Sequence, residues 1–357
     1  MRWLALLLAL VMVAAACGSD DSDDAGGDDT GSEAATDSGS DDSGSDDGGD
    51  EDTDAGSDDG GDEDVELTQG GDLTFHMITH SDDGPFWSVV KRGMDAACAD
   101  VGVTCVWNPG NNDPGQMVTD IESAIASGSN GIAASLPSPD QLIGPLQDAV
   151  AAGIPVYTIN SGVNDYQTIG ATAHVGQTET IAGEGAGNRF NDAGAGTVLC
   201  ARQEQSNVGL EERCAGLESS FGGTVISEFI APDTDQTEQI NAMKAVLEAN
   251  PDIDGILGTG PVIAVSALTA AQDLGRDITI GGFDVTPEII DAIEAGDIAF
   301  TVDQQQYLQG YLPIILLYLE VTNQNTAGGG LPILTGPGFI TPENAGAVKA
   351  LVAEGTR

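Results

Sequence analysis

Short apolar runs alternate with longer amphipathic stretches twice along residues 72–282 of this chain. The short runs predict strands and the longer stretches predict helices. Consecutive parallel strands need a crossover connection, so this alternation predicts parallel sheets with helices on both faces. Two such series in succession predict an α/β fold with two doubly wound lobes. Ligands of such folds bind beyond the carboxyl ends of the strands.

The two series occupy most of the 286 residues from Asp72 onward, which suffice for one large or two medium domains. The first series predicts strands at 73–78, 104–107, 131–135 and 154–159, and helices at 87–100, 114–127 and 140–152. After residue 177, the second predicts helices at 179–193, 210–221, 237–249 and 262–274, and strands at 197–200, 224–229, 255–258 and 278–282.

The first 17 residues predict export. Arg2 precedes an apolar run at 3–16 that is too short to span a bilayer, and Ala14-Ala15-Ala16 leads into Cys17. This pattern resembles a bacterial lipobox, in which the cysteine is lipidated, although Ala14 stands where Leu is usual. Residues 1–17 are therefore predicted to be a lipoprotein signal peptide that ends in a lipidated Cys17. An ordinary secretory signal with an incidental cysteine is the alternative.

An acidic segment follows the signal. Residues 18–71 hold 22 of the 58 acidic residues and no Lys or Arg, which predicts a disordered Gly/Ser/Asp tether. The remaining chain has 36 acidic residues against nine basic ones. Such charge disfavours nucleic acid and anionic headgroups as partners. We expect contact with the membrane through the lipid anchor alone, on the outer face of the cytoplasmic membrane.

Four cysteines remain once Cys17 is set aside, and an exported protein meets an oxidising compartment. Their spacing suggests two local disulfides, Cys98–Cys105 and Cys200–Cys214. Metal binding is the alternative, but the chain has no CxxC pair and no histidine near these cysteines.

Several short motifs follow one another in an order typical of one protein family. They are Gly84-Pro85-Phe86-Trp87, Ala152-Gly153-Ile154-Pro155-Val156, Gly281-Gly282-Phe283-Asp284, Asp303-Gln304-Gln305-Gln306-Tyr307 and Gly310-Tyr311. With them, residues 72–357 resemble the type-I periplasmic binding proteins of the ribose-binding kind. The resemblance implies a hinge of three crossings near residues 177, 304 and 334. It implies an N-terminal lobe of 72–177 plus 305–334 and a C-terminal lobe of 178–304 plus 335–357.

The same resemblance implies a function. Such proteins capture a small polar ligand, here expected to be a monosaccharide, between two closing lobes and deliver it to the permease of an ABC importer. No cofactor is expected, and lobe closure needs no second subunit, so we expect a monomer. The alternative is a receptor for a non-sugar small molecule, such as a signal molecule, a nucleoside or a polyol, on the same fold.

Two aromatic residues are candidates for the ligand site. Phe86 and Trp87 follow the first predicted strand, and aromatic faces pack against the C–H surface of a sugar ring. Plain core packing of one of them is the alternative. Asp82 and Asp83 precede them and could accept hydrogen bonds from hydroxyl groups; capping of the helix that follows is the alternative role.

The resemblance implies four further ligand residues. Asn160 follows the fourth predicted strand, Arg213 aligns with an arginine of the second lobe, Asp284 ends a strand, and Gln304 lies at a crossing. A guanidinium donates several hydrogen bonds and a carboxylate accepts them. A surface ion pair is the alternative role of Arg213. Asn160-Ser161 departs from the Asp-Arg of many relatives, and Gly258-Thr259-Gly260-Pro261 from their Asn-Asp pair, which leaves the ligand open.

The sequence lacks the short motifs of common metal, catalytic and nucleotide-binding sites. His76 and His80 lie on a predicted strand without the glutamate of a zinc helix, and His174 is isolated. There is no G-x-S-x-G elbow and no Walker lysine, and Gly194-Ala195-Gly196 lies between a helix and a strand, the wrong order for a dinucleotide turn. We therefore expect a binding protein without enzymatic activity or a bound metal.

Overall fold

The computed structural model describes residues 70–82, 84–233 and 235–357, which fall within one compact unit, Asp64–Arg357. The predicted signal peptide, Cys17 and all but the last two residues of the predicted tether lie outside these ranges. In the described ranges, two six-stranded sheets form two α/β lobes, which confirms the predicted fold class. None of the helices in these ranges combines the length and hydropathy that a membrane span needs.

The first sheet carries the N-terminal lobe, and its strands all run parallel in the order β11-β5-β4-β3-β1-β2. Its strands are β1 (Thr74–Thr79), β2 (Thr104–Pro109), β3 (Gly131–Ser135), β4 (Val156–Ile159), β5 (Ala173–Gly176) and β11 (Ile333–Leu334). The helices of this lobe are α1 (Gly84–Val101), α2 (Pro114–Ala126), α3 (Pro139–Ala151), α4 (Tyr166–Ile169) and α10 (Gln306–Asn323), with a 3-10 turn at Gly328–Gly330.

The second sheet carries the C-terminal lobe in the corresponding order β12-β10-β9-β8-β6-β7. Its strands are β6 (Thr197–Arg202), β7 (Thr224–Phe229), β8 (Gly255–Gly258), β9 (Thr279–Phe283), β10 (Phe300–Asp303) and β12 (Gly338–Ile340). The helices are α5 (Glu179–Asp192), α6 (Val208–Ser220), α7 (Gln236–Ala249), α8 (Pro261–Asp273), α9 (Pro287–Ala295) and α11 (Ala345–Glu354). β12 pairs antiparallel with β10, and the other pairings of this sheet are parallel.

Each sheet is buried on both faces, as parallel sheets require. In the N-terminal lobe, one apolar cluster lies between the sheet and helices α1 and α10, and another lies under α2 and α3. In the C-terminal lobe, one cluster lies under α5 and α6 and the other under α7, α8, α9 and α11. Both lobes therefore have a three-layer arrangement of helix, sheet and helix.

Prolines fix the starts of several helices. α2, α3, α8 and α9 carry proline in their first two positions, where the missing N–H costs no hydrogen bond. α1 likewise begins at Gly84, followed by Pro85, three residues before the predicted start. The sequence pattern thus located this helix but placed its start almost one turn late.

The chain passes between the sheets at three places: between Gly176 and Glu179, between Asp303 and Gln306, and between Leu334 and Gly338. The first two passages lead directly into helices. α5 packs closely against α6, where a Cβ at Gly183 would overlap the carbonyl oxygen of Arg213. α10 packs in the same way against α1, where a Cβ at Gly310 would overlap the carbonyl oxygen of Val90.

Candidate functional site

A cavity lies between the two lobes at the carboxyl ends of their strands. Loops after β1 and β4 and the start of α1 form one wall, and the segment after β6, helix α6 and the end of β9 form the other. The lining residues are His80, Ser81, Gly84, Pro85, Phe86, Trp87, Asn112, Asn160, Gln203, Glu204, Asn207, Leu210, Arg213, Pro232, Asp233, Pro261, Asp284 and Gln304.

Six of the seven ligand residues predicted from the sequence line this one cavity: Phe86, Trp87, Asn160, Arg213, Asp284 and Gln304. The seventh, Asp83, lies outside the described residues. Its neighbour Asp82 is exposed and is not part of the lining. The candidates come from five separate stretches of sequence, and the sheet geometry brings them together because parallel strands end at a common edge.

Gln304 connects the lobes at the base of the cavity. Its Nε2 donates to Asp284 Oδ1 at 2.6 Å, and its Oε1 accepts from Asn160 Nδ2 at 3.3 Å. Gln309 of α10 donates to the same Oε1 at 2.8 Å and fixes the orientation of the amide. The Gln304 amide lies where the chain crosses between the lobes, and it bonds to one polar side chain of each lobe.

Arg213 of α6 is buried and paired within its own lobe. Its Nε and Nη2 donate to the two carboxylate oxygens of Glu179 at 2.6 and 3.0 Å, and its Nη1 donates to the carbonyl oxygen of Thr259 at 2.6 Å. Burial alone would lower the pKa of the guanidinium, but the Glu179 carboxylate outweighs it and the pKa is raised. The pairing is therefore a buried one, and the alternative of a surface ion pair is wrong.

The remaining N–H groups of Arg213 are free to act on a ligand. A guanidinium has five N–H donors, and the three hydrogen bonds to Glu179 and Thr259 use three of them. The guanidinium carbon also lies 4.3 Å from the ring centre of Phe283, which supports it from one face. Arg213 is thus held rigidly while it lines the cavity.

Asp284 is a buried carboxylate at the cavity. Burial raises its pKa to about 7, against the opposing effects of the Arg213 charge and the hydrogen bond from Gln304. Both Asp284 and Asn160 have positive φ angles, 69° and 58°, a conformation that Asp and Asn tolerate better than most residues. The local backbone turns each side chain toward the region between the lobes.

The aromatic part of the cavity is built around Trp87. Its ring meets His80 edge-on at a centroid distance of 4.8 Å and Phe86 edge-on at 4.9 Å. Phe86 and Trp87 belong to the core cluster under α1 and also line the cavity. Both side chains therefore pack in the core and also line the cavity, so the two alternatives do not exclude each other.

The sequence-based prediction of ligand residues did not include the loop after β6 or the facing residue His80, which follows β1. Gln203, Glu204 and Asn207 line the cavity, and Asn207 Nδ2 lies 3.3 Å from His80 Nε2 across the lobes. Of these three, only Gln203 directly follows a strand end, and Asn207 lies five residues beyond β6. His80 was considered only as a metal ligand, and burial in fact lowers its pKa.

The Nδ1 atom of each histidine lies close to a serine or threonine hydroxyl. His76 Nδ1 lies 2.9 Å from Ser129 Oγ, His80 Nδ1 lies 3.0 Å from Ser135 Oγ, and His174 Nδ1 lies 2.9 Å from Thr158 Oγ1. Burial lowers the pKa of His174 to about 3, so this side chain is neutral. Within the described ranges, no three His, Cys, Asp or Glu side chains come together in a way that suits a metal ion.

The lobes touch each other directly around the cavity. The backbone N–H of Val208 donates to the carbonyl oxygen of Pro137 at 3.0 Å, and Ser138 Oγ donates to the carbonyl oxygen of Ser206 at 3.1 Å. Ser161 Oγ donates to Asn207 Oδ1 at 3.0 Å. This arrangement of the two lobes is therefore a closed one.

The four cysteines of the two lobes lie in two pairs. Cys98 is placed against Cys105 and Cys200 against Cys214, with Cα atoms 6.2 and 5.7 Å apart. These separations are those of disulfide-bonded cysteines. The second pair joins β6 to α6, the helix that carries Arg213.

Comparison with known proteins places the body of the chain among solute receptors. A family described as "Periplasmic binding protein domain" matches residues 75–325. The xylose/arabinose-binding protein XylF of Sulfolobus acidocaldarius is 30% identical over 285 residues, 75% of this chain and 70% of that protein. The ribose import binding protein RbsB of Bacillus subtilis is 22% identical over 68% of this chain and 79% of its own length.

Solved structures agree with the sequence relatives. A carbohydrate transporter from Acidothermus cellulolyticus, in complex with myo-inositol, superimposes with a TM-score of 0.78 at 36% identity, over 80% of this chain and all of that one. The glucose-galactose binding protein GanP of Geobacillus stearothermophilus, at 21% identity and a TM-score of 0.68, shares the fold over 76% of this chain and 98% of its own.

Proposed function

Because this chain belongs to the periplasmic binding protein domain family, whose members work outside the cytoplasm, we propose that it is a lipid-anchored receptor of an ABC importer. It captures a monosaccharide between its lobes and delivers it to the permease. The chain is a solute-binding protein and not an enzyme.

The observation that carries this proposal is the set of side chains gathered in one cavity from both lobes and a crossing. Asp284 accepts hydrogen bonds from hydroxyl groups, Arg213 donates them, and Asn160 does both. Trp87 supplies an apolar surface for the C–H face of a ring. This combination of hydrogen-bonding groups and one flat apolar wall suits a small polyhydroxylated ring.

The relatives support the same ligand class. Their names specify xylose or arabinose, ribose, and a carbohydrate transporter with myo-inositol bound. All of these are compact rings or short chains that carry hydroxyl groups. The myo-inositol complex, at 36% identity, favours a cyclic polyol as a second candidate ligand alongside a monosaccharide.

Ligand binding favours the closed arrangement of the two lobes. A ligand that contacts Asn160 and Asp284 together does so only when the lobes are shut, so it shifts the population toward the closed form. We place the hinge at the three passages between the sheets. Direct contacts such as that between Val208 and Pro137 add to the stability of the closed form.

Three further features complete the proposal. Cys17 carries the lipid, both cysteine pairs are disulfides in the exported protein, and the receptor acts as a monomer. For the anchor, replacement Cys17→Ser should move the protein from the membrane fraction to the soluble fraction. Retention of the variant in washed membranes would contradict the lipobox.

The central test is a binding screen on the full chain that carries Cys17→Ser. Thermal unfolding is followed with D-xylose, L-arabinose, D-ribose, myo-inositol, adenosine and glycine, and positives are measured by calorimetry. A ligand at 100 times its Kd stabilises the folded form by about 2.7 kcal/mol, which shifts the melting temperature visibly. A selective response to a pentose or to inositol is expected. A response to adenosine or glycine alone would make the protein a receptor for another class of molecule.

A further inference from the structure

A second cavity lies between the lobes beside the main one. Its lining from the N-terminal lobe is His80, Asn112, Pro114, Met117, Pro137 and Ser138, and from the C-terminal lobe Gln203, Glu204, Gln205, Ser206, Asn207, Phe229 and Pro232. The interlobe contacts of Pro137 with Val208 and of Ser138 with Ser206 lie along this cavity. It therefore closes together with the main cavity.

A thin layer of side chains separates the two cavities. Six residues line both of them: His80, Asn112, Gln203, Glu204, Asn207 and Pro232. The centre of this partition is a small polar cluster. Glu204 Oε2 accepts from Asn207 Nδ2 at 2.7 Å and lies 3.5 Å from His80 Nε2.

Two members of the cluster are fixed and one is loosely held. The backbone N–H of His80 donates to Ser135 Oγ at 2.9 Å, and its Nδ1 lies 3.0 Å from the same oxygen. Asn207 caps α6, with its Oδ1 accepting from the N–H of Gly209 at 3.0 Å. Glu204 has no such anchor to a helix or strand in the described part of the chain, and its side chain is 22% exposed. Rotation of Glu204 away from Asn207 would remove the most loosely held side chain of this cluster from between the cavities.

The second cavity differs from the first in its chemistry. Pro114, Phe229 and Pro232 contribute to its largely apolar surface, whereas the main cavity is evenly mixed. Met117 is fully buried, and Phe229 is 37% exposed. Because more of the exposed lining is apolar than polar, an apolar group loses less on transfer from water to this space than a second sugar ring would.

We propose that Glu204 is a movable partition and that the receptor takes a sugar or polyol ring bearing a small apolar substituent, such as an O-alkyl or O-aryl group. The ring occupies the main cavity and the substituent the second one. This inference rests on the proposed function and narrows its ligand class. An unsubstituted ring binds with Glu204 left in contact with Asn207.

Calorimetry on the full chain with Cys17→Ser tests the proposal. The unsubstituted probes are D-xylose and myo-inositol. The substituted probes are both anomers of methyl and 4-nitrophenyl D-xylopyranoside, and mono-O-methyl inositols. At least one substituted ring should bind within about tenfold of its parent, a difference of 1.4 kcal/mol. Binding of a parent ring with every substituted form more than about a hundredfold weaker, and no recovery in Glu204→Ala, would overturn the proposal while the proposed function stands.

Variants locate the substituent. Phe229→Ala should weaken the nitrophenyl glycoside about two- to tenfold, the range of one aromatic contact, and change the parent ring less than twofold. Leu351→Ala, which removes an exposed apolar side chain outside both cavities, should change neither. Glu204→Ala should strengthen the nitrophenyl glycoside relative to its parent, and the size-matched Glu204→Gln should do so less. Equal loss for both ligands in Phe229→Ala would refute the placement of the substituent. Binding of no monosaccharide and no cyclic polyol in the thermal screen would contradict the proposed function, and this inference with it.

Discussion

Asn160 and Asp284 occupy equivalent positions in the two lobes, each one residue beyond the strand that lies third from the edge of its sheet. Both have positive φ, and Gln304 bonds to both, at 3.3 Å and 2.6 Å. The two lobes thus present matching strand ends to one amide. Of this pair only Asp284 ionises, so its protonation changes what the C-terminal lobe can accept at this point of the cavity.

Ligand affinity should follow the ionisation of Asp284. Its pKa of about 7 means that the carboxylate, which accepts hydroxyl hydrogen bonds, prevails above this pH and the neutral acid below it. We expect binding about tenfold weaker at pH 6 than at pH 8, measured by calorimetry. The variant Asp284→Asn should bind more weakly than wild type at pH 8 and show a flat profile. A wild-type profile as flat as that of the variant would contradict this role.

The stability of the unliganded protein should change with pH in the opposite direction. The pKa of Asp284 is raised in the folded state above its ordinary value of 3.8, so the folded form binds the proton more tightly than the unfolded form. This group therefore stabilises the fold fully below about pH 4 and loses its contribution as pH rises through 7. Urea unfolding between pH 4 and 8 should show a shallower loss of stability in Asp284→Asn than in wild type.

Removal of Arg213 should destabilise the fold as well as weaken binding. Glu179 would be left buried without its partner, which costs about 3–5 kcal/mol in comparable pairs. The double variant Glu179→Gln with Arg213→Gln should regain part of this loss, because no lone charge remains. Urea unfolding measures both. Equal losses in Arg213→Ala and the double variant would show that the charge pair does not set the cost.

Trp87 should contribute to binding through its ring face. The variant Trp87→Ala should weaken sugar binding by about 1–3 kcal/mol and also lower the melting temperature, since the side chain is buried in the core under α1. Trp87→Phe retains an aromatic face and serves as the matched control. Calorimetry at a temperature where both variants are folded separates the effects. Unchanged affinity in Trp87→Ala would remove the ring from the binding surface.

The pair Cys200–Cys214 should stabilise the fold through a closed loop of 14 residues. Such a loop corresponds to about 3 kcal/mol of lost entropy in the unfolded chain. The double variant Cys200→Ser with Cys214→Ser should lose about 2–4 kcal/mol in urea unfolding. Alkylation followed by mass measurement should detect no free thiol among the four body cysteines of the exported protein. Free thiols at Cys200 and Cys214 would contradict the predicted bridge.

The family resemblance implied Asn160 and Asp284, and both lie one residue beyond a strand end, where the positions of parallel strands converge at one edge. Trp87, proposed for its aromatic face, lies in the first turn of α1. The pairing of Arg213 with Glu179 escaped prediction because it joins residues 34 apart on two different helices, and no local pattern marks it. Strand β5 and helix α4, each four residues long, also carried too few apolar residues to stand out.

The sequence-based prediction also left out side chains on loops. Glu204 and Asn207 follow β6, but their direction depends on the path of a loop and on the opposite lobe. Apolar periodicity carries information about the faces of helices and strands, and it carries none about a loop that turns through several residues. The contact between Asn207 and His80, 127 residues apart, arises only when both lobes are present and shut.

The glycine contacts where α5 meets α6 and α10 meets α1 have a consequence far from the cavity. The helices after the first two crossings pack tightly within their own lobes, so we expect any bending between the lobes to fall around Gln177, around Gln304 and in the third passage, between Leu334 and Gly338. A side chain added at Gly183 or Gly310 would force apart two helices of one lobe, because its Cβ would overlap the carbonyl oxygen of Arg213 or Val90. Apparent affinity scales with the fraction of molecules in the binding-competent form, so a change in this helix packing would alter affinity as far as it changes that fraction.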